Sequence, residues 1–122
     1  MKGILNVRIG LMNMLAYAID LLDDPEVLRK YDEYHRNVFP EVLAVADRMG
    51  YGFQGIYRIG NRLFMIVEVP DDFDPDMAAD CSQCEREKEW DDIMRKMQVP
   101  LPWAREGEWW AQMEPVFCRK MP

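Results

Sequence analysis

The sequence predicts an α+β domain with element order β-α-β-β-α-β, the ferredoxin-like arrangement of two helices on one face of an antiparallel sheet. Three observations support this. Apolar residues alternate along Leu15, Tyr17, Ile19 and Leu21, as in a half-buried strand. A second pair of alternating runs, Phe53 to Ile59 and Arg62 to Val69, is joined by Gly60-Asn61, a two-residue hairpin signal. Between and after these strands lie stretches of helical spacing.

In chain order, the first apolar run extends from Ile9 to Leu22 behind Lys2 and Arg8, with Ala16-Tyr17-Ala18 resembling a cleavage site. Asn13 and Asp20 interrupt it, and its period of two favours a strand over a signal peptide. It is also too short and polar to span a bilayer. Asp23-Asp24-Pro25-Glu26 then marks a helix start, with an Asp cap, a Pro in the first turn and an acid near the positive end. This helix should run from Pro25 to about Asn37. Leu28, Tyr31 and His35 recur at spacings of three and four, so they share its inward face. Pro40 opens a turn-rich stretch to Met49, closed by Gly50, a residue free to take the left-handed conformation.

In the second hairpin strand Leu63, Met65, Val67 and Val69 occupy one face, and Pro70 ends it. An acidic loop with Asp71, Asp72, Asp74 and Asp76 follows, then a helical segment from about Met77 to Met97 that Pro100 and Pro102 break. Met113–Arg119 reads as the last strand. The 122 residues suffice for a single domain spanning 1–122 with its own core. A sheet covered on one face leaves apolar side chains on the other, so a homodimer is expected.

Charge and cysteine usage exclude several classes of function. A formal charge of −7 repels phosphate backbones and anionic lipid, so neither nucleic acid nor a membrane is an expected partner. Three Cys do not make a disulfide scaffold, and reduced thiols suit a cytoplasmic setting. Cys81 and Cys84 form one C-x2-C pair, with Cys118 and His35 as conceivable further ligands, but a single pair in a polar helix is a weak zinc or redox signal. The acidic loop lacks the spacing and distal Glu of a calcium site. Hence no metal site and no cofactor is expected.

The chemistry-bearing residues are few. His35 is the single histidine, and its ordinary pKa near neutrality suits it to general acid or base work. Tyr31, one turn earlier, brings a hydroxyl to the same face. Four Trp (Trp90, Trp103, Trp109 and Trp110) lie in the last third. Aromatic faces stack on the C–H surface of sugars while indole N–H groups reach hydroxyls, and neutral hydrogen bonders such as Tyr31, Gln54 and Tyr57 would complete a sugar site.

These residues also carry a resemblance. The run Tyr31-Asp32-Glu33-Tyr34-His35-Arg36-Asn37-Val38-Phe39-Pro40-Glu41 resembles the Y-x-x-x-H-x-x-x-W-P-E signature of the L-rhamnose mutarotase family. Gly50…Ile56-Tyr57, Asn61-Arg62-Leu63-Phe64…Glu68, Glu89-Trp90 with Met97, Pro100-Leu101-Pro102 and Gly107-Glu108-Trp109-Trp110…Met113-Glu114…Val116-Phe117 follow in the family's order. The similarity extends from about Leu15 to Phe117. It implies a cytoplasmic, dimeric α/β barrel of ferredoxin-like subunits that interconverts the anomers of a 6-deoxyhexose, L-rhamnose or L-fucose, without cofactor.

By the same resemblance His35 matches the proton donor, Tyr31 a substrate-binding tyrosine, and Trp90 the second member of a substrate-binding Trp-Trp pair. The first member is Glu89 here, Gln54 replaces a tyrosine, and Phe39 stands where Trp is usual. Tyr57 and Glu89 complete the expected substrate-binding set. Related barrels also act as cofactor-free oxygenases or haem-binding proteins, and a non-catalytic sugar-binding dimer would use the same residues.

Overall fold

In a computed structural model, the structure describes residues 12–74 and 84–119. Five strands form one antiparallel sheet: β1 (Met12–Leu21), β2 (Gln54–Ile59), β3 (Arg62–Pro70), β4 (Gln98–Val99) and β5 (Ala111–Gln112). β1 lies at the centre, with β3 and then β2 on one side. On its other side, β4 pairs with Asp20–Leu21 and β5 with Tyr17–Ala18. Among the described residues there are three helices: α1 (Pro25–Arg36), α2 (Pro40–Met49) and α3 (Glu85–Met97).

The alternation read from the sequence holds. Ile19, Leu21 and Leu63 are buried on the helix-facing side, where Tyr31 of α1 and Met94 and Met97 of α3 complete the core. Register follows from the pleat, since Ile19 lies opposite Leu63 and Tyr17 opposite Met65. Gly60, at φ 58°, makes the β2–β3 turn. The Asp24 side chain caps α1 by accepting from the Glu26 N–H at 2.9 Å.

Two elements differ from the sequence reading. Residues 40–49 form a ten-residue helix rather than a run of turns, with Pro40 in its first turn and Gly50 at its end in the left-handed conformation, φ 75°. The last strand is not Met113–Arg119, which is irregular; the edge is made instead by the two short strands β4 and β5. Pro100 and Pro102 interrupt the edge and prevent one continuous strand. The helix expected from Met77 is seen from Glu85, and positions 77–83, including Cys81, lie outside the described residues. Among the described residues no helix is long and apolar enough to cross a membrane.

The segment after α3 touches both sides of the sheet. Trp109 and Trp110 pack against the helix-side core, whereas Leu101 and Ala111 cover Ala18 and Phe64 on the far face. Elsewhere on that far face, among the described residues, Met14, Phe53, Tyr57 and Ile59 are all exposed.

Candidate active site

A cavity of about 540 Å³ opens between the helices and the β2–β3 hairpin, within the range of small-molecule sites. Tyr31, Asp32 and His35 line it from α1, Val42 and Leu43 from α2, and Trp90, Asp91, Met94 and Arg95 from α3. Gln54, Ile56 and Arg58 of β2 and Leu63 and Met65 of β3 form its floor, and Gln98, Trp109 and Trp110 its remaining wall. The spacing of Tyr31 and His35 on one helix face has its consequence here, because both side chains reach one pocket.

His35 is held on three sides. Its Nδ1–H donates to the Tyr31 carbonyl oxygen at 2.8 Å; that oxygen can only accept, so Nδ1 carries the proton. Its ring stacks on Tyr31, with centroids 4.3 Å apart and planes 30° apart. The Trp90 ring meets it edge-on at 5.3 Å. With Nδ1 engaged by the Tyr31 carbonyl, Nε2 is the other ring nitrogen of a side chain that lines the cavity. Neutral His35 presents a lone pair there, and the imidazolium presents an N–H. Burial lowers the His35 pKa, while the Tyr31 carbonyl and the Asp32 carboxylate partly oppose that shift.

Trp90 is itself fixed by aromatic neighbours. Phe39 lies 5.0 Å away and Tyr34 6.0 Å away, both edge-on, and the Arg86 guanidinium caps the outer face of Phe39 at 3.7 Å. Phe39 thus packs between Trp90 and Arg86. The Tyr31 hydroxyl accepts from Gln98 Nε2 at 3.2 Å, and Gln98 Oε1 accepts from Trp109 Nε1 at 2.8 Å. Burial pushes the Tyr31 phenol up to about 12, and donation from Gln98 acts against that rise. The phenol therefore stays protonated at neutral pH.

Charge in the cavity is paired. Arg58 meets Asp32 at 2.6 Å and Arg95 meets Asp91 at 2.9 Å, so two cations cancel two anions. An uncharged ligand with hydroxyls and a C–H face fits such a lining better than an anion does. Gln54 reaches the cavity and donates weakly to Met65 Sδ at 3.6 Å.

Two expected substrate-binding residues lie elsewhere. Tyr57 is 60% exposed on the opposite face of β2, because the strand alternates and Gln54, Ile56 and Arg58 take the cavity side. Glu89 is not among the residues lining the cavity and binds Arg86 at 2.9 Å. Conversely, Gln98 and the two ion pairs were not singled out from sequence. A signal for Gln98 existed, since Trp90, Met94 and Gln98 recur every four residues and place an amide on an apolar stripe. Among the described residues no group of three His, Cys, Asp or Glu is placed to hold a metal ion; Cys84 is a free thiol and Cys81 is outside the described residues.

Comparison with known proteins bears on the family and the fold. The L-rhamnose mutarotase family model matches residues 14–118. An L-fucose mutarotase of Xanthomonas campestris pv. campestris is 35% identical over 110 residues, covering 88% of each chain. A UPF0734 protein of Dictyostelium discoideum is 36% identical over 107 residues, covering 84% of this chain and 86% of the other. In structure, the chain is similar to an L-rhamnose mutarotase from Formosa agariphila, with a TM-score of 0.63 at 21% identity over 88% of this chain and 98% of that one. A family match over most of the chain, an L-fucose mutarotase relative aligned over 88% of each chain and a shared fold lead to one conclusion: the chain belongs to the L-rhamnose mutarotase family of carbohydrate isomerases.

Proposed function

We propose that the protein interconverts the α and β anomers of a 6-deoxyhexose, L-rhamnose or L-fucose, with His35 as the general acid. The observation that carries this reading is the convergence of His35, Tyr31 and Trp90 on one charge-balanced cavity. The imidazolium Nε2–H gives its proton to the ring oxygen as the C1–O5 bond breaks, while the O1 proton leaves to water or to a cavity carboxylate, Asp32 or Asp91. The electron pair of the O1–H bond forms the aldehyde C=O, and the pair of the C1–O5 bond takes up the donated proton. Rotation about C1–C2 and reclosure, with neutral His35 now taking the proton back at Nε2, yield the other anomer.

Trp90 supplies a stacking face for the sugar C–H surface, and Tyr31 and Gln54 supply hydrogen bonds to hydroxyls. Glu89 has no part in this scheme, because Arg86 occupies it outside the cavity. The open far face of the sheet supports a homodimer, with Phe53 and Tyr57 in its interface. The free thiols of Cys84 and Cys118 support a reducing, cytoplasmic setting.

Saturation-transfer NMR of anomeric protons on L-rhamnose, L-fucose and their stereoisomers tests the reaction directly. Exchange faster than in buffer is expected for at least one 6-deoxy sugar. Exchange on none of them overturns the reading.

A further inference from the structure

Gln98 is buried at the junction where α3 gives way to β4, with 8% of its surface exposed. Its backbone is tied in place: its N–H donates to the Arg95 carbonyl, and it pairs with Leu21 across β1–β4. Its side chain spans Tyr31 and Trp109, and the direction of that bridge is not arbitrary. An amide can be turned either way without changing its shape. An indole N–H, however, can only donate, so the amide oxygen must face Trp109 and the amide NH₂ must face Tyr31. The NH₂ in turn can only donate. The Tyr31 oxygen is therefore an acceptor in this bond, and its own proton is left for a partner in the cavity that all three residues line.

We propose that Gln98 is a positioning residue: fixed by Trp109, it holds the Tyr31 hydroxyl with its proton directed at a substrate oxygen. The assignment rests on the mutarotase reading of the cavity and adds the device that gives Tyr31 its polarity. Trp109 sets the direction, Gln98 transmits it, and Tyr31 delivers it.

Gln98→Glu tests the direction rather than the packing, because it preserves shape and reverses hydrogen-bond character at one end. As a carboxylate the new side chain only accepts. It takes the N–H of Trp109 on one oxygen and the proton of Tyr31 on the other, turning the phenol away from the sugar. Protonation at lower pH restores a donor towards Tyr31. Anomer exchange is measured by saturation-transfer NMR between pH 5 and 8, as the ratio of variant to wild type, so that titration of His35 cancels. The ratio is expected at about one tenth near pH 8, the size of one lost hydrogen bond, and to climb towards one as the pH falls. In a Tyr31→Phe background the same substitution should cause no further loss.

A ratio that is low but flat with pH, a ratio near one throughout, or an undiminished loss in the Tyr31→Phe background overturns the proposal. If circular dichroism shows Gln98→Glu unfolded, Trp109→Phe decides instead. It frees the amide to turn, so exchange should fall about threefold with tyrosine at position 31 and not with phenylalanine there. Equal effects in both backgrounds, or none, overturn the proposal. Wild-type protein inactive on every 6-deoxy sugar overturns the mutarotase reading, and the positioning role with it; active wild type with a flat ratio overturns the positioning role alone.

Discussion

His35 carries the heaviest demand on a single side chain. His35→Ala should reduce anomer exchange at least ~10²-fold, the lower range for a positioned proton transfer, while melting close to wild type. The sign of the pH dependence follows from burial, which lowers the imidazole pKa below its ordinary 6.5. The acid form is present below that lowered value and lost above it. Exchange should therefore fall as the pH rises through the region below 6.5; a rate that climbs there would identify His35 as a base. Trp90→Ala removes both the stacking face and one wall of His35. Sugar binding followed by titration should weaken about tenfold, from an aromatic contact worth about 1.4 kcal/mol. The pairing of Tyr31 with His35 was legible because four residues make one helical turn. The ion pair of Glu89 with Arg86 was legible in the same way, because the two stand three residues apart on α3.

At the scale of the element, legibility tracks length and capping. The long strand β1 and the β2–β3 hairpin showed their alternation and turn plainly. β4 and β5, with two residues each, are too short for any period to register, and their place is fixed only by pairing with β1. α2 was hard to recognise for a different reason. Phe39 precedes it without a side-chain cap, and none of its residues is fully buried. Its end, by contrast, was visible in Gly50. Gly50→Ala forces a Cβ into the left-handed region, 3.4 Å from Pro70 Cγ. That should cost about 1 kcal/mol and lower the melting midpoint by about 4 °C, read by thermal circular dichroism. Because Gly50 itself lies outside the cavity lining, exchange at low temperature, where the protein stays folded, should change little.

For the molecule as a whole, the balance between the two sheet faces matters most. One is filled by helices, and among the described residues the other is covered at the Ala18–Phe64 end. A second copy seated on Met14, Phe53 and Tyr57 would bury that remaining apolar surface. Sedimentation at micromolar concentration should give about twice 14.5 kDa, and Tyr57→Asp should shift the mass towards the monomer. A wild-type monomer would contradict this assembly. The sequence showed that a face was left over but not that the segment after α3 would cover part of it. That segment also supplies Gln98, Trp109 and Trp110 to the cavity. A ribosome releases a chain from its N-terminus at about 5–20 residues per second, so His35 emerges well before the wall that encloses it. Until residues 98–112 follow and zip onto β1, the nascent chain holds His35 without the wall that Gln98, Trp109 and Trp110 give its cavity.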